Sequence, residues 1–173
     1  MKITAIVIAV LVAAFLIFAA LRPDTFVVQR SAVINASPEK IAPLISDFHN
    51  WSSWSPYEKL DPAMKKSFSG APSGQGAIYD WEGNSKVGKG RMEITMASAS
   101  LVSIKMDFVK PMEGHDVIEF ALEPKGQSTN VTWTMRGPNN YFAKVMGIFF
   151  NIDKIVGKDF ESGLAQLKSV AEK

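Results

Sequence analysis

From Trp81 to Arg136 the chain alternates between apolar and polar positions. Met92, Ile94 and Met96 are spaced by Glu93 and Thr95, and Val102, Ile104, Met106 and Phe108 by Ser103, Lys105 and Asp107. Ile118, Phe120 and Leu122 continue the pattern, as do Val131, Trp133 and Met135. A period of two over this length predicts strands with one wet face and one dry face. The separators 97–100, 110–114 and 124–127 are of hairpin length, so consecutive strands are expected to be antiparallel neighbours. Phe26–Ile34, Met64–Phe68 and Ala77–Glu82 read as three further strands, with Gly83-Asn84-Ser85 as a turn. The dry face is large, soft and rich in methionine and tryptophan, which suits a packed core or an adaptable pocket.

The period becomes helical twice. Ser37-Pro38-Glu39 opens a helix, with Ser37 as cap, Pro38 at its first position and Ile41, Leu44, Ile45 and Phe48 as its apolar stripe. From Tyr141 onward, Phe142, Val145, Met146, Phe149, Ile152, Val156, Phe160, Leu164, Leu167 and Ala171 share one stripe. That spacing predicts one long helix able to cross the whole sheet as a lid. Between the first helix and the second strand, Trp51, Trp54 and Tyr57 crowd three rings into seven residues. They either plug one end of the sheet as core or form the wall of a cavity.

Ile3–Leu21 is apolar apart from Thr4, and at ~1.5 Å per residue it reaches about 28 Å, close to the thickness of a bilayer's hydrocarbon core. The run continues through Phe15–Leu21 beyond Val12-Ala13-Ala14, where a signal peptide could be cut, which favours an uncleaved anchor. The expected division is a transmembrane anchor at 1–22, a short linker at 23–25 and a folded domain at 26–173. A single-pass protein of the cell (cytoplasmic, or inner) membrane follows. The two-residue tail before the span favours a domain on the extracytoplasmic, periplasmic side.

Composition narrows the chemistry. The chain has no cysteine, so disulfides, thiolate metal sites and thiol nucleophiles are excluded. Its formal charge of +2 comes from Lys2 and Arg22, which flank the apolar run; the domain itself is neutral. A neutral domain offers no electrostatic footprint for nucleic acid. His49 and His115 lie beside turns, and Asp80 and Glu82 share a strand face opposite Tyr79 and Trp81. No metal-ligand spacing, dinucleotide fingerprint or serine elbow is present, so neither a metal nor a cofactor is expected. Tyr57, Tyr79 and Arg136 are the polar candidates for the interior, with Arg136 placed by preference on the surface.

Three stretches carry a family resemblance: Trp51-Ser-Ser-Trp-Ser-Pro-Tyr57, Tyr79-Asp-Trp-Glu-Gly-Asn84 with Val87-Gly-Lys-Gly-Arg-Met92, and Gly157-Lys-Asp-Phe-Glu-Ser-Gly-Leu-Ala-Gln-Leu-Lys168. The chain resembles bacterial membrane-anchored SRPBCC, or polyketide cyclase-like, proteins. It is similar in its order of elements to the START-like helix-grip fold of lipid-transfer domains, the birch-pollen allergen group and aromatic polyketide cyclases. The resemblance spans about residues 26–171. It implies an α+β helix-grip domain, a curved antiparallel sheet of about seven strands wrapped round a long C-terminal helix, preceded here by a transmembrane helix. It further implies that a hydrophobic small molecule or lipid binds between sheet and helix.

On that basis the expected cavity residues are Trp51, Trp54 and Tyr57 from the aromatic segment, and Tyr79, Trp81, Met92, Ile94, Met106, Phe108, Phe120, Trp133 and Met135 from the sheet. Met146 and Phe149 from the helix complete the set. Three functions stay open: a membrane-tethered carrier or sensor, a cyclase- or hydrolase-type enzyme on a hydrophobic substrate, and an adaptor presenting its aromatic segment to an unknown protein partner.

Overall fold

Residues 2–173 are described by a computed structural model, in which seven strands form one antiparallel sheet. The strands are β1 (Thr25–Ile34), β2 (Lys65–Gly70), β3 (Ala77–Glu82), β4 (Lys89–Ala97), β5 (Leu101–Lys110), β6 (Gly114–Lys125) and β7 (Ser128–Pro138). Their order in space is β1-β7-β6-β5-β4-β3-β2. The strands β2 to β7 are therefore sequential neighbours, as the short connections require. β1, made first, pairs with β7 from Thr25 opposite Pro138 to Ile34 opposite Thr129.

The alternation sorts the side chains as expected. Val102, Ile104, Ile118, Phe120, Leu122, Val131 and Trp133 are all at most 3 % exposed on the inner face. The outer face carries cross-strand ion pairs, Arg91 with Asp80, Lys89 with Glu82 and Arg136 with Glu119. Arg136 is thus a surface residue. Met96 departs from the pattern. The register shifts between Ile94 and Met96, which puts Met96 outside at 51 % exposure. A bulge inserts one residue and so reverses the parity beyond it.

The helix α2 (Pro38–Ser46) is followed by a 3₁₀ segment, Phe48–Ser53, and the single turn α3 (Tyr57–Leu60). The aromatic segment is tied to α2 by side-chain donors. Asn50 Nδ2 donates to the Pro43 carbonyl at 3.0 Å, Trp54 Nε1 to Leu44 at 2.8 Å and Trp51 Nε1 to Ile45 at 2.9 Å. These are carbonyls of the last helical turn, which have no partner within the helix. Two buried indoles therefore gain hydrogen bonds while α2 gains its C-terminal cap.

The expected single C-terminal helix is two helices, α4 (Tyr141–Phe149) and α5 (Ile152–Ala171). The break falls at Phe150-Asn151. Asn140 and Asn151 each cap the helix that follows, their side chains accepting from the Ala143 and Lys154 amides at 2.9 Å. Only α5 crosses the sheet, burying Phe160, Leu164, Leu167 and Ala171. Trp133 lies flat on Phe160, ring centroids 4.0 Å apart and planes 9° from parallel. Gly163 makes room for this ring, because a Cβ there would sit 2.7 Å from Trp133 Cζ3 and 3.0 Å from Pro56 Cδ.

The apolar helix α1 (Lys2–Ala20) is long and apolar enough to cross a membrane, and only 6 % of its span is buried inside the protein. Its last turns rest against α4, and β1 begins five residues after it ends.

Candidate functional site

Sheet and α5 do not close completely. Between them lies a cavity of about 270 Å³. Its walls are Tyr79, Trp81, Met92, Met106, Phe108, Ile118, Trp133 and Met135 from the sheet, Trp51, Ser55, Tyr57 and Glu58 from the segment after α2, and Val156, Asp159 and Phe160 from α5. Met64, Lys86 and Val87 complete the lining.

Nine of the fourteen residues expected from the sequence line this space: Trp51, Tyr57, Tyr79, Trp81, Met92, Met106, Phe108, Trp133 and Met135. Trp54, Ile94 and Phe120 are fully buried and lie outside that lining, in solid core. Trp54 packs edge-on against Phe120 at 6.0 Å and Trp133 at 5.7 Å. Met146 and Phe149 belong to α4 and lie away from the cavity; Phe149 contacts α1 instead, its ring 5.9 Å from that of Phe15. The helix break is the reason, since it takes α4 off the line that α5 follows over the sheet. The aromatic segment divides between the two readings left open. Trp51 is cavity wall and Trp54 is core, at 4 % and 0 % exposure, so neither presents an aromatic surface for a partner.

Four polar members of the lining were missed by strand parity, because Ser55, Glu58, Lys86 and Asp159 lie outside the sheet. The Tyr79 hydroxyl donates to Glu58 Oε1 at 2.8 Å, and Glu58 also pairs with Lys66. Burial, reinforced by the accepting Glu58 carboxylate, holds the Tyr79 phenol far above its ordinary range. Burial likewise raises Tyr57, with the charge of Asp159 adding to it. Asp159 is itself raised by burial. A carboxyl and a phenol thus lie at the α5 side of a mostly apolar space, with the carboxyl acting on the phenol.

One donor stands out. Trp51, Trp54 and Trp81 give their indole hydrogens to Ile45, Leu44 and Val87 carbonyls. Trp133 Nε1 is buried with no partner, the only such side-chain atom among the described residues. Leaving a buried donor unmade costs about 1–3 kcal/mol, so the packing of this ring carries a local penalty.

The histidines are peripheral. His49 stacks on Phe68, and His115 bonds Asp107 on the outer face. Beside His115, Asp116 turns inward and is 6 % exposed, and burial lifts its carboxyl to about 6, with His115 opposing and Asp107 adding to the shift. The folded protein therefore keeps a proton that the unfolded chain releases nearer pH 4. Stability should fall as pH rises through about 4 to 6 and stay low above that window. Asp116→Asn is expected to remove this slope and to add about 1–2 kcal/mol above pH 6, after allowing for water near the strand end. Urea unfolding at pH 4.5 and 7.5 would check it; a wild-type stability rising between those values would refute the assignment.

Comparison with known proteins agrees with this architecture. Residues 25–172 match the sequence model of the family described as polyketide cyclase / dehydrase and lipid transport. No curated protein matches the sequence significantly. Among solved structures, a Chromobacterium violaceum protein superposes with a TM-score of 0.61 at 13 % identity, over 88 % of this chain and 99 % of that one. The Aha1 dimer from Colwellia psychrerythraea gives 0.56 at 19 %, over 85 % and 96 %. The di-domain ARO/CYC protein StfQ of the steffimycin biosynthetic pathway gives 0.61 at 7 %, over 86 % of this chain and 51 % of that one. At these identities the likeness is one of fold: the START-like helix grip.

Proposed function

The chain belongs to the polyketide cyclase / dehydrase and lipid transport family, and from that premise we propose that it is a membrane-tethered carrier or sensor of a compact hydrophobic molecule held between the sheet and α5. In this reading residues 1–22 anchor the protein, 23–25 link, and 26–173 bind. The anchor keeps the domain, on the extracytoplasmic side of the cell membrane, where apolar molecules partition.

The observation that carries the reading is an apolar cavity of about 270 Å³ enclosed between the sheet and α5, with Trp133 in its wall. It selects a ligand with a largely apolar body. Size narrows the class further. About 270 Å³ lies just under the usual ~300–1,000 Å³ of small-molecule sites. That volume suits a fused ring system or one short acyl chain and is too small for a two-chain phospholipid. Asp159 and Tyr57 offer the ligand a polar contact at the α5 side.

The test uses prodan, a neutral naphthalene carrying a ketone, with full-length protein in nanodiscs. Energy transfer from the four tryptophans, none of which lies in α1, separates cavity binding from partition into lipid. Wild type is expected to bind saturably, and Val156→Phe, which fills part of the cavity from α5, to bind about tenfold more weakly. Equal affinity for both proteins would place the probe outside the cavity.

A cyclase- or hydrolase-type enzyme is the second reading, favoured by the Asp159–Tyr57 pair at the cavity wall. An enzyme would release its cavity ligand chemically altered on incubation and lose that conversion in Asp159→Asn. A binding protein would return the ligand unchanged in both.

A further inference from the structure

The break that separates α4 from α5 leaves α4 without a role in gripping the sheet. Its sequence, Tyr-Phe-Ala-Lys-Val-Met-Gly-Ile-Phe, carries one charge. Phe142, Phe149 and Phe150 are more than half exposed, and Tyr141 is 49 % exposed. Ile155, at the start of α5, is 56 % exposed as well. So large an aromatic and aliphatic patch is unusual on a water-facing surface and calls for a cover.

What covers it follows from where α4 touches α1. The Tyr141 hydroxyl at one end of α4 donates to the Leu16 carbonyl at 3.2 Å, and the Phe149 ring at the other end packs on Phe15 at 5.9 Å. Both ends therefore meet α1 at one level, four to five residues before α1 stops at Ala20. At ~1.5 Å per residue that level is about 6–8 Å below the end of the span. If α1 crosses a bilayer, α4 lies beside it at the depth where interfacial helices bury their apolar faces, about 5–10 Å into the headgroup and acyl boundary.

The one cation fits this placement. Lys144 is 7 % exposed. Its ammonium donates to Asp24 Oδ1 at 2.6 Å and to the Ala20 carbonyl at 3.3 Å. It thereby caps the C-terminal end of α1, where cations are favoured, and offers no charge to lipid.

We propose that α4 is an in-plane membrane helix, a second lipid contact that fixes the folded domain against the bilayer beside its anchor. This inference rests on the reading of α1 as a membrane span. The helix break then has a purpose, because the first half of the apolar stripe serves the membrane and the second half serves the sheet.

The native chain has no cysteine, so single labels can be placed cleanly. Full-length protein in phosphatidylcholine vesicles would carry an NBD label at Phe142→Cys, Phe149→Cys, Leu11→Cys or Gln127→Cys. The last lies in the β6–β7 turn, at the opposite end of the sheet from Thr25. Lipids with a nitroxide high on the acyl chain should quench the labels at 142 and 149 severalfold more than the label at 127. Aqueous iodide should show the reverse order. A dry label at 11 with labels at 142 and 149 as wet as that at 127 would overturn the proposal and leave the anchor standing. A wet label at 11 would overturn the anchor and this inference with it.

Discussion

Trp54→Ala is expected to cost the domain about 3–5 kcal/mol, the range for removing a large aromatic side chain from a well-packed core. Trp54 is completely buried, and its ring is met by Trp51 at 4.9 Å, Trp133 at 5.7 Å and Phe120 at 6.0 Å. Its loss would leave a void that three interlocked rings cannot collapse into. It would also free the Leu44 carbonyl, which accepts the Trp54 indole hydrogen at the end of α2. Urea unfolding of the full-length protein, followed by near-ultraviolet circular dichroism, would measure it. A loss below about 1 kcal/mol would show that the aromatic segment is not the plug between α2 and the sheet.

The cavity makes the opposite prediction for enlarging side chains. Val156 and Ile118 line it from α5 and from β6. Putting phenylalanine at both positions would normally overpack a core by about 1–3 kcal/mol each. Here the added rings have a space of about 270 Å³ to enter, so the double variant is expected to stay within about 1 kcal/mol of wild type. Its prodan affinity should nevertheless fall about a hundredfold, equivalent to about 2.7 kcal/mol of binding. A double variant that unfolds would mean the space is closed by motion of the surrounding chains. Undiminished binding would place the probe elsewhere on the protein.

The sheet was legible because period-two alternation depends only on side chains pointing up and down in turn, and β5, β6 and β7 keep it without interruption. It failed at Met96, where a bulge reverses parity and no glycine or proline marks the spot. The helix break was illegible for a related reason. Phe149, Phe150 and Ile152 continue an apolar stripe across it, and hydrophobicity does not distinguish a face packed on the sheet from one left exposed. Asn151 was the available signal, a capping residue with Asp153 in the turn it opens.

Within the site, parity identified which strand residues face inward, and it could not say which of them meet empty space. Ile94 and Phe120 share a face with Met92 and Trp133, yet they are sealed in the core while the latter pair line the cavity. Asp159 could have been found. It sits between Val156 and Phe160 on α5, a carboxylate inside the apolar stripe, and a charge in that position has to face either the sheet or something held against it.

A small hydrophobic molecule is proposed to occupy the space between sheet and α5. The most direct measurement is native mass spectrometry of the full-length protein, extracted from its own cell membranes in mild detergent and freed of micelles in the gas phase. A reproducible adduct lighter than a two-chain phospholipid is expected on the wild type and absent from the Val156→Phe, Ile118→Phe double variant. A bare chain mass for the wild type, or the same adduct on both proteins, would rule out a ligand in this space.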